Sequence, residues 1–475
     1  MSLQKLRDNF TQVEKYDLIT LGSGSAAFAA AIRATELGAK VAMVERGTVG
    51  GTCVNTGCVP SKHLLGVGEI SYYKNRDHEG LEVEASLDFP GIMREKREVV
   101  EAIRKRRYID VIDALGITLV RGQAAFISKN EVEVDGRILQ ADKFIIATGS
   151  YPHILPIEGL GTVDYLTNVE AMELTRPPSS MIVIGGRALG LEFAQMFSHF
   201  GTEVTVLQRS PRIIPEEESM ISDYLRTYLE DEGINVQTGT VVESVRKEEG
   251  NIIVTAVVEG ERKEFGAEKL LMATGRKPDT GGLALEKAGV DVDRNGAVVV
   301  NGEMRTSARH IWAAGDVLGE PMLETVAGKE GFIAAENAIA NRDRKMDFSA
   351  VPHAVFTMPQ VASVGLTERK AEERGIKCRC STIPVELVPK AVLTKDTRGL
   401  VKMVIDDGTE RILGVHILAS LAADMIHEGV FAVKYGMTIS DIIDTVHVFP
   451  TITEAVKLAA QSFRRDVSRM SCCAE

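Results

Sequence analysis

A strand, glycine turn, helix and second strand recur in the same order twice along the 475 residues, and that duplication leaves few folds open. The first copy is "YDLITLGSGSAAFAAAIRATELGAKVAMVERG", which ends its second strand at Glu45. Gly22 makes the tight turn and Gly24 lets the backbone approach a pyrophosphate. Ala26 and Ala27 let helix and strand pack closely at the helix N-terminus. Glu45 stands where a carboxylate accepts hydrogen bonds from ribose hydroxyls. The spacing specifies a dinucleotide-binding βαβ unit.

The second copy is "SSMIVIGGRALGLEFAQMFSHFGTEVTVLQRSPR". Gly22 and Glu45 are 23 positions apart, and the same step from Gly185 lands on Gln208. Gly190 holds the helix side of the turn, and Arg187 replaces the middle glycine. With the acid gone and Arg209 and Arg212 following, a 2′-phosphate is favoured over a 2′-hydroxyl, so NADPH is expected rather than NADH. Two shorter repeats accompany the pair: "FIIATGSYP" around Thr148 and Gly149, and "LLMATGRKP" around Thr274 and Gly275, with Arg276 next in line as a further cofactor-binding candidate. Each closes a nucleotide domain. "HIWAAGDVLG" places Asp316 after an apolar strand, where a carboxylate can receive a ribityl chain.

The order describes an FAD-binding domain, residues 1–150 and 279–346, interrupted by an NADPH-binding domain, 151–278. Residues 347–475 change to short strands and helices without a nucleotide signature and read as an interface domain. The expected class is α/β, with two Rossmann-like, three-layer nucleotide-binding domains and an α+β dimerisation domain.

Composition narrows the partners. Acidic residues outnumber basic ones 67 to 55, which disfavours nucleic acid and anionic lipid and leaves small-molecule chemistry. No apolar run is long enough for a membrane span, and the charged N-terminus lacks a secretory core, so a cytoplasmic protein is expected. The six cysteines form three close pairs, Cys53/Cys58, Cys378/Cys380 and Cys472/Cys473. In a reducing compartment such spacing points to redox or metal chemistry.

"GGTCVNTGCVPSKHLL" follows the first fingerprint directly. Its two cysteines are five positions apart, so an unbroken helix would not align them, and a helix start there favours thiolate over thiol. With both fingerprints, both "ATG" segments and the "GD" pair in order, the chain from Tyr16 onward resembles the pyridine nucleotide:disulfide oxidoreductases. The resemblance implies that Cys58 faces the flavin as a thiolate, that Cys53 meets substrate, and that Lys62 pairs with Glu192 to stabilise reduced flavin. It further implies that Gly51, Thr52, Gly122, Ala124 and Val326 approach FAD, and that the enzyme is a homodimer.

Disulfide-reducing members of that family carry a proton-donating histidine in His-Pro-Thr-x-x-Glu. Here the stretch reads "FPTITE", with Phe449 in the histidine's place and Glu454 retained. General acid help is worth about 10²–10⁴-fold, so its loss argues against thiol exchange as the main activity. A substrate that needs thiolates and no proton is a thiophilic ion. Of the soft ions, Hg(II) takes two electrons and leaves as a neutral element. Through "GGTCVNTGCVPSK", "LAAQSF" and "SCCA" the chain is similar to the mercuric-ion-reducing members of the family. That likeness implies that Cys472 and Cys473 collect Hg(II) from small-thiol complexes and pass it to Cys53 and Cys58 of the other subunit, making all four cysteines metal ligands.

The chain departs from those members at Phe449 and Ala188, where tyrosines are usual, and the shorter catalytic form without an added metal-binding domain is expected. Two rivals remain: a high-molecular-weight thioredoxin reductase, and a flavoprotein that only buffers soft metals. Cys378 and Cys380, on a strand with both sulfurs to one face, are read as packing in preference to a metal relay. His427 and Glu428 are read as structural.

Overall fold

A computed structural model describes residues 13–73, 79–84 and 86–471. They form two compact units. The first takes in residues up to 61 with 94–153 and 275–346, and the second takes in 62–93, 154–274 and 347 onward.

In the first unit the strand Glu14–Leu21 lies between Val41–Glu45 and Arg137–Ile146, all parallel, with Thr118–Arg121 and Ile311–Ala313 extending the sheet. Leu18, Ile19 and Leu21 are fully enclosed, which is why the strand reads as an unbroken apolar run. The turn after it holds Gly22 at φ +109°, and a Cβ there would sit 2.3 Å from the Ala147 carbonyl oxygen. Only glycine fits.

The helix Ser25–Glu36 buries Ala26, Ala27, Ala30, Ala31 and Ala34. Ala26 does more than seat this helix on its strand. A second helix, Glu324–Ala340, crosses so closely that a Cβ on Gly331 would lie 2.0 Å from the Ala26 carbonyl oxygen.

The second unit repeats the plan. Ser180–Ile184, Glu203–Leu207, Asn235–Gln237, Lys269–Met272 and Tyr165–Leu166 form a parallel sheet. Gly185 turns at φ +120° with its absent Cβ 2.2 Å from the Ala273 carbonyl oxygen, and Gly190 packs against Gly185 in the same intolerant way. The same unit contains an antiparallel sheet of five strands: His353–Val355, Gln360–Gly365, Ile412–Ala419, Leu400–Asp406 and Cys378–Pro384. Phe193, Phe197 and Leu225 share one apolar core with Val355, Val361 and Leu418, so the nucleotide sheet and the C-terminal sheet are consolidated rather than separate.

The boundary falls inside the second "ATG" segment: Thr274 is the last residue of that stretch of the second unit, and Gly275 and Arg276 open the return to the first. Arg276–Pro278 pairs antiparallel with Ser150–Pro152, and Arg276 donates from Nε to the Ser150 hydroxyl and from Nη2 to its carbonyl, both at 2.7 Å. These bonds hold the crossing segment in a two-stranded sheet of the first unit.

Candidate active site

The dithiol depends on a break in the helix. Gly51–Thr56 is one short helix, Cys58–Tyr73 is the next, and Gly57 separates them at φ −133°, ψ −117°. A Cβ at Gly57 would lie 2.9 Å from the Thr52 carbonyl oxygen and 3.2 Å from the Cys53 Cα. The break turns the chain so that the sulfurs of Cys53 and Cys58 reach hydrogen-bonding contact, both as free cysteines. Cys58 opens the longer helix, whose N-terminal end favours negative charge. Hydrogen bonding to Cys58, burial, and the nearby charges of Cys58 and Glu324 hold the Cys53 thiol far above its ordinary range.

The dithiol helix starts against the flavin-side turn. Gly51, at φ +66°, has its absent Cβ 2.6 Å from the Gly24 Cα. Gly24 itself would meet nothing closer than 3.9 Å if given a Cβ, so the protein alone does not demand glycine there. The space left open suits the close approach of a ligand to the backbone. The helix after Gly24 has no side-chain cap, which leaves its first N–H groups for an anion.

Beside this turn a groove is lined by Gly22, Glu45, Gly122, Ala124, Thr148 and Asp279. Glu45 accepts from the Ser23 hydroxyl and, at 2.6 Å, from the Gly47 N–H. Thr148 donates to the Asp279 carbonyl at 2.6 Å, and Gly149 accepts from the Asp279 N–H at 2.9 Å. Asp316 accepts from Ser150 at 2.6 Å and lies 4.0 Å from Arg276. Thr52 is exposed, whereas Val326 is buried in its helix. This donor set and glycine cradle fit an FAD with its adenosine in the groove and its pyrophosphate over Gly24.

In the second unit Lys62 Nζ lies 2.7 Å from Glu192 Oε2 and 4.4 Å from the centre of the Phe356 ring. Glu192 also accepts from the Phe356 N–H at 3.0 Å. Gln208 turns inward, its Oε1 accepting from the Gly186 N–H at 2.9 Å and its amide donating to the Arg212 carbonyl at 3.3 Å. Arg209 is exposed, and Arg212 pairs with Asp223 at 2.9 Å. Arg187, at the uncapped start of Ala188–His199, has φ −100° and ψ −175°, close to the φ −80° and ψ −174° of Gly24. Its side chain turns outward toward Glu216 at 3.6 Å, so the backbone cradle matches the first copy and fits a second nucleotide pyrophosphate.

Residues 16–331 match the family model described as pyridine nucleotide-disulphide oxidoreductase, and residues 351–460 match that family's dimerisation domain. The chain belongs to the pyridine nucleotide-disulphide oxidoreductase family. The oxidoreductase is 42% identical to a mercuric reductase of Lysinibacillus sphaericus, over 97% of this chain and 85% of that one. It is 42% identical to a mercuric reductase of Streptomyces lividans, over 97% and 98%. Among solved structures it is similar to the Cu(II) complex of the HOCl-induced flavoprotein disulfide reductase RclA of Escherichia coli, with a TM-score of 0.87, 29% identity and coverage of 95% and 100%.

Several groups of this oxidoreductase escaped the sequence reading. Arg46 forms an ion pair with Asp279, and both line the groove beside Gly22. Tyr108, on a π-helical turn Lys105–Ile109, packs edge-on to Phe28 at 4.8 Å, and burial, with the charges of Cys53, Glu324 and Cys58, pushes its phenol up to about 12. Buried Glu330 accepts from the Gly315 N–H at 2.7 Å, next to Asp316, and desolvation raises its carboxyl to about 7. A π-turn is a recurring mark of functional positions, but nothing in "KRRYI" announces one.

At the C-terminal end, Phe449 is exposed and bears no acid–base atom. His447 is engaged at both ring nitrogens, by the Thr445 carbonyl at 2.9 Å and by Glu428 at 2.8 Å. Glu454 has one carboxylate oxygen buried without a partner among the described residues, and burial raises its carboxyl. Cys472 and Cys473 lie outside the described residues.

Proposed function

We propose that the protein reduces Hg(II) to elemental mercury with NADPH, through FAD and the Cys53/Cys58 dithiol. The position of Phe449 carries this reading. The family's disulfide reducers need an acid where Phe449 stands, and His447, held by Glu428 and Thr445, is not available to replace it. The similarity to mercuric reductases points the same way.

Bound FAD would supply two-electron carriage between nicotinamide and dithiol. The chain's own residues do the rest. Gly22, Gly24, Glu45, Gly51, Thr52, Ala124, Thr148, Gly149, Asp316 and Val326, with Arg276 steadying Asp316, hold the flavin nucleotide. Gly185, Gly190, Gln208, Arg209 and Arg212 receive NADPH. Lys62, oriented by its ion pair with Glu192, offers a positive charge to the reduced ring. Cys472 and Cys473 take Hg(II) from a small-thiol complex and yield it by ligand exchange, first to Cys53 and then to Cys58. The balance is one NADPH and one Hg(II) giving NADP⁺, Hg(0) and one proton, with no proton delivered to a leaving thiolate.

The dimerisation domain supports a homodimer, in which one subunit's tail would serve the other's dithiol. Among the described residues no helix is long and apolar enough to cross a membrane, and we place the reaction in the cytoplasm.

The test is NADPH oxidation with Hg(II) in excess small thiol, run beside oxidised glutathione and thioredoxin. Mercury-dependent oxidation with volatile mercury leaving solution is expected. Oxidation supported only by the disulfides would overturn the reading. Replacing Cys472 and Cys473 by alanine should impair turnover of tightly chelated mercury while leaving flavin reduction by NADPH intact.

A further inference from the structure

The reaction above leaves one thiol pair unused. Cys378 and Cys380 sit on the edge strand Cys378–Pro384, whose one neighbour in the sheet is Leu400–Asp406. Two positions apart on a strand, their side chains leave the same face about 6.6 Å apart along the chain. Both are half-buried cysteines outside any disulfide, close enough for each thiol to act on the other's acidity.

That spacing discriminates between two fates. A disulfide needs Cβ atoms about 3.5–4.5 Å apart, which side chains standing parallel on an extended strand do not offer without backbone movement. A metal ion inserted between the sulfurs adds two bonds of about 2.3 Å each, taking zinc–thiolate as the gauge, and spans the gap without moving the strand.

The coordination number is limited as well. Among the described residues no group of three or more His, Cys, Asp or Glu is placed to hold a metal ion. Glu368 accepts a hydrogen bond from Cys380 and is itself bound to Lys402 at 2.6 Å, and Lys402 also holds Glu218 at 2.9 Å. The adjoining carboxylate is therefore tied to an ammonium, and the two sulfurs are the remaining soft donors. Soft thiolates select soft ions.

We propose that Cys378 and Cys380 form a second ion site, which takes one thiophilic two-coordinate ion such as Hg(II) between their sulfurs. Binding is ligand exchange without electron transfer. Each protein sulfur replaces one thiolate of the incoming bis-thiol complex, two sulfur–metal bonds form as two break, and the two protons leave with the released thiols. Two donors on one strand act as a chelate, so the pair outcompetes separate monothiols of equal strength. The site does not depend on reduction at Cys53 and Cys58.

The test uses the full-length, FAD-loaded chain with Cys53, Cys58, Cys472 and Cys473 changed to alanine, leaving this pair as the only cysteines of the six. After exposure to Hg(II) in excess free cysteine and desalting, native mass spectrometry should find one mercury per chain, two protons fewer, and no attached free cysteine. Adding Cys378→Ser and Cys380→Ser should reduce retained mercury at least tenfold. In the otherwise native chain the same two serines should remove one equivalent. Mercury lost on desalting from the four-alanine chain, mercury carrying a free cysteine, or retention unchanged by the serines would each overturn the proposal.

Discussion

Lys62 and Glu192 are joined at 2.7 Å, and the carboxylate's second oxygen is bound to the Phe356 N–H at 3.0 Å. The carboxylate is buried and the lysine about one-third exposed, so the pair aims one charge instead of merely decorating a surface. Glu192→Gln should slow NADPH reduction of the flavin by about tenfold, corresponding to roughly 1.4 kcal/mol. Stopped-flow bleaching of the flavin measures it. Titration of Cys53 and Cys58 with a thiol reagent should be unchanged, and a parallel loss of both would point to general disruption.

Gly57 keeps two helices from becoming one. Gly57→Ala forces a Cβ against the Thr52 carbonyl and Cys53, at an expected cost of about 1–3 kcal/mol in denaturant unfolding. Oxidation of the dithiol to a disulfide should slow as the sulfurs part. Unaltered oxidation kinetics would show that the break does not set their approach.

Glu330 gives a pH signature. Its carboxyl is raised from 4.5 to about 7, so the folded protein holds a proton there that the unfolded chain releases. The favourable contribution is complete below about pH 4.5 and is lost as pH rises through about 7. Glu330→Gln keeps an acceptor for the Gly315 N–H and removes the titration. Above pH 7 the variant should be the more stable by a few kcal/mol, since each tenfold loss of acidity on folding is worth about 1.4 kcal/mol, and near pH 4.5 the two should converge. Thermal unfolding of the FAD-loaded proteins across pH 4.5–8 checks both limits.

Phe449→His restores an acid where disulfide-reducing relatives keep one. Turnover of a small disulfide with NADPH should rise by about 10²-fold or more, while mercury-dependent turnover changes little. No gain with any disulfide would mean that Phe449 is not what separates the two activities.

The parts legible in the sequence were those in which one residue's backbone dictates its neighbours. Gly22 and Gly185 are fixed by turns a few residues long, and Cys53 and Cys58 by a break between them. Arg46 with Asp279 was not legible, because 233 positions separate partners that the sheet brings together. Nor were the bonds of Arg276 to Ser150, made across 126 positions of chain. Tyr108 and Glu330 depend on burial, which no local pattern around them encodes.

Gly24 and Arg187 share a main-chain conformation while sharing no side chain. What the two turns repeat is a path, and a residue alphabet is only one way to write it. A pattern search that insists on a third-letter glycine would overlook the second cradle, although its dihedral angles coincide with the first to within 20°. Once the path is secured, the vacant letter becomes a place where a duplicated fold can acquire a charge without renegotiating its architecture.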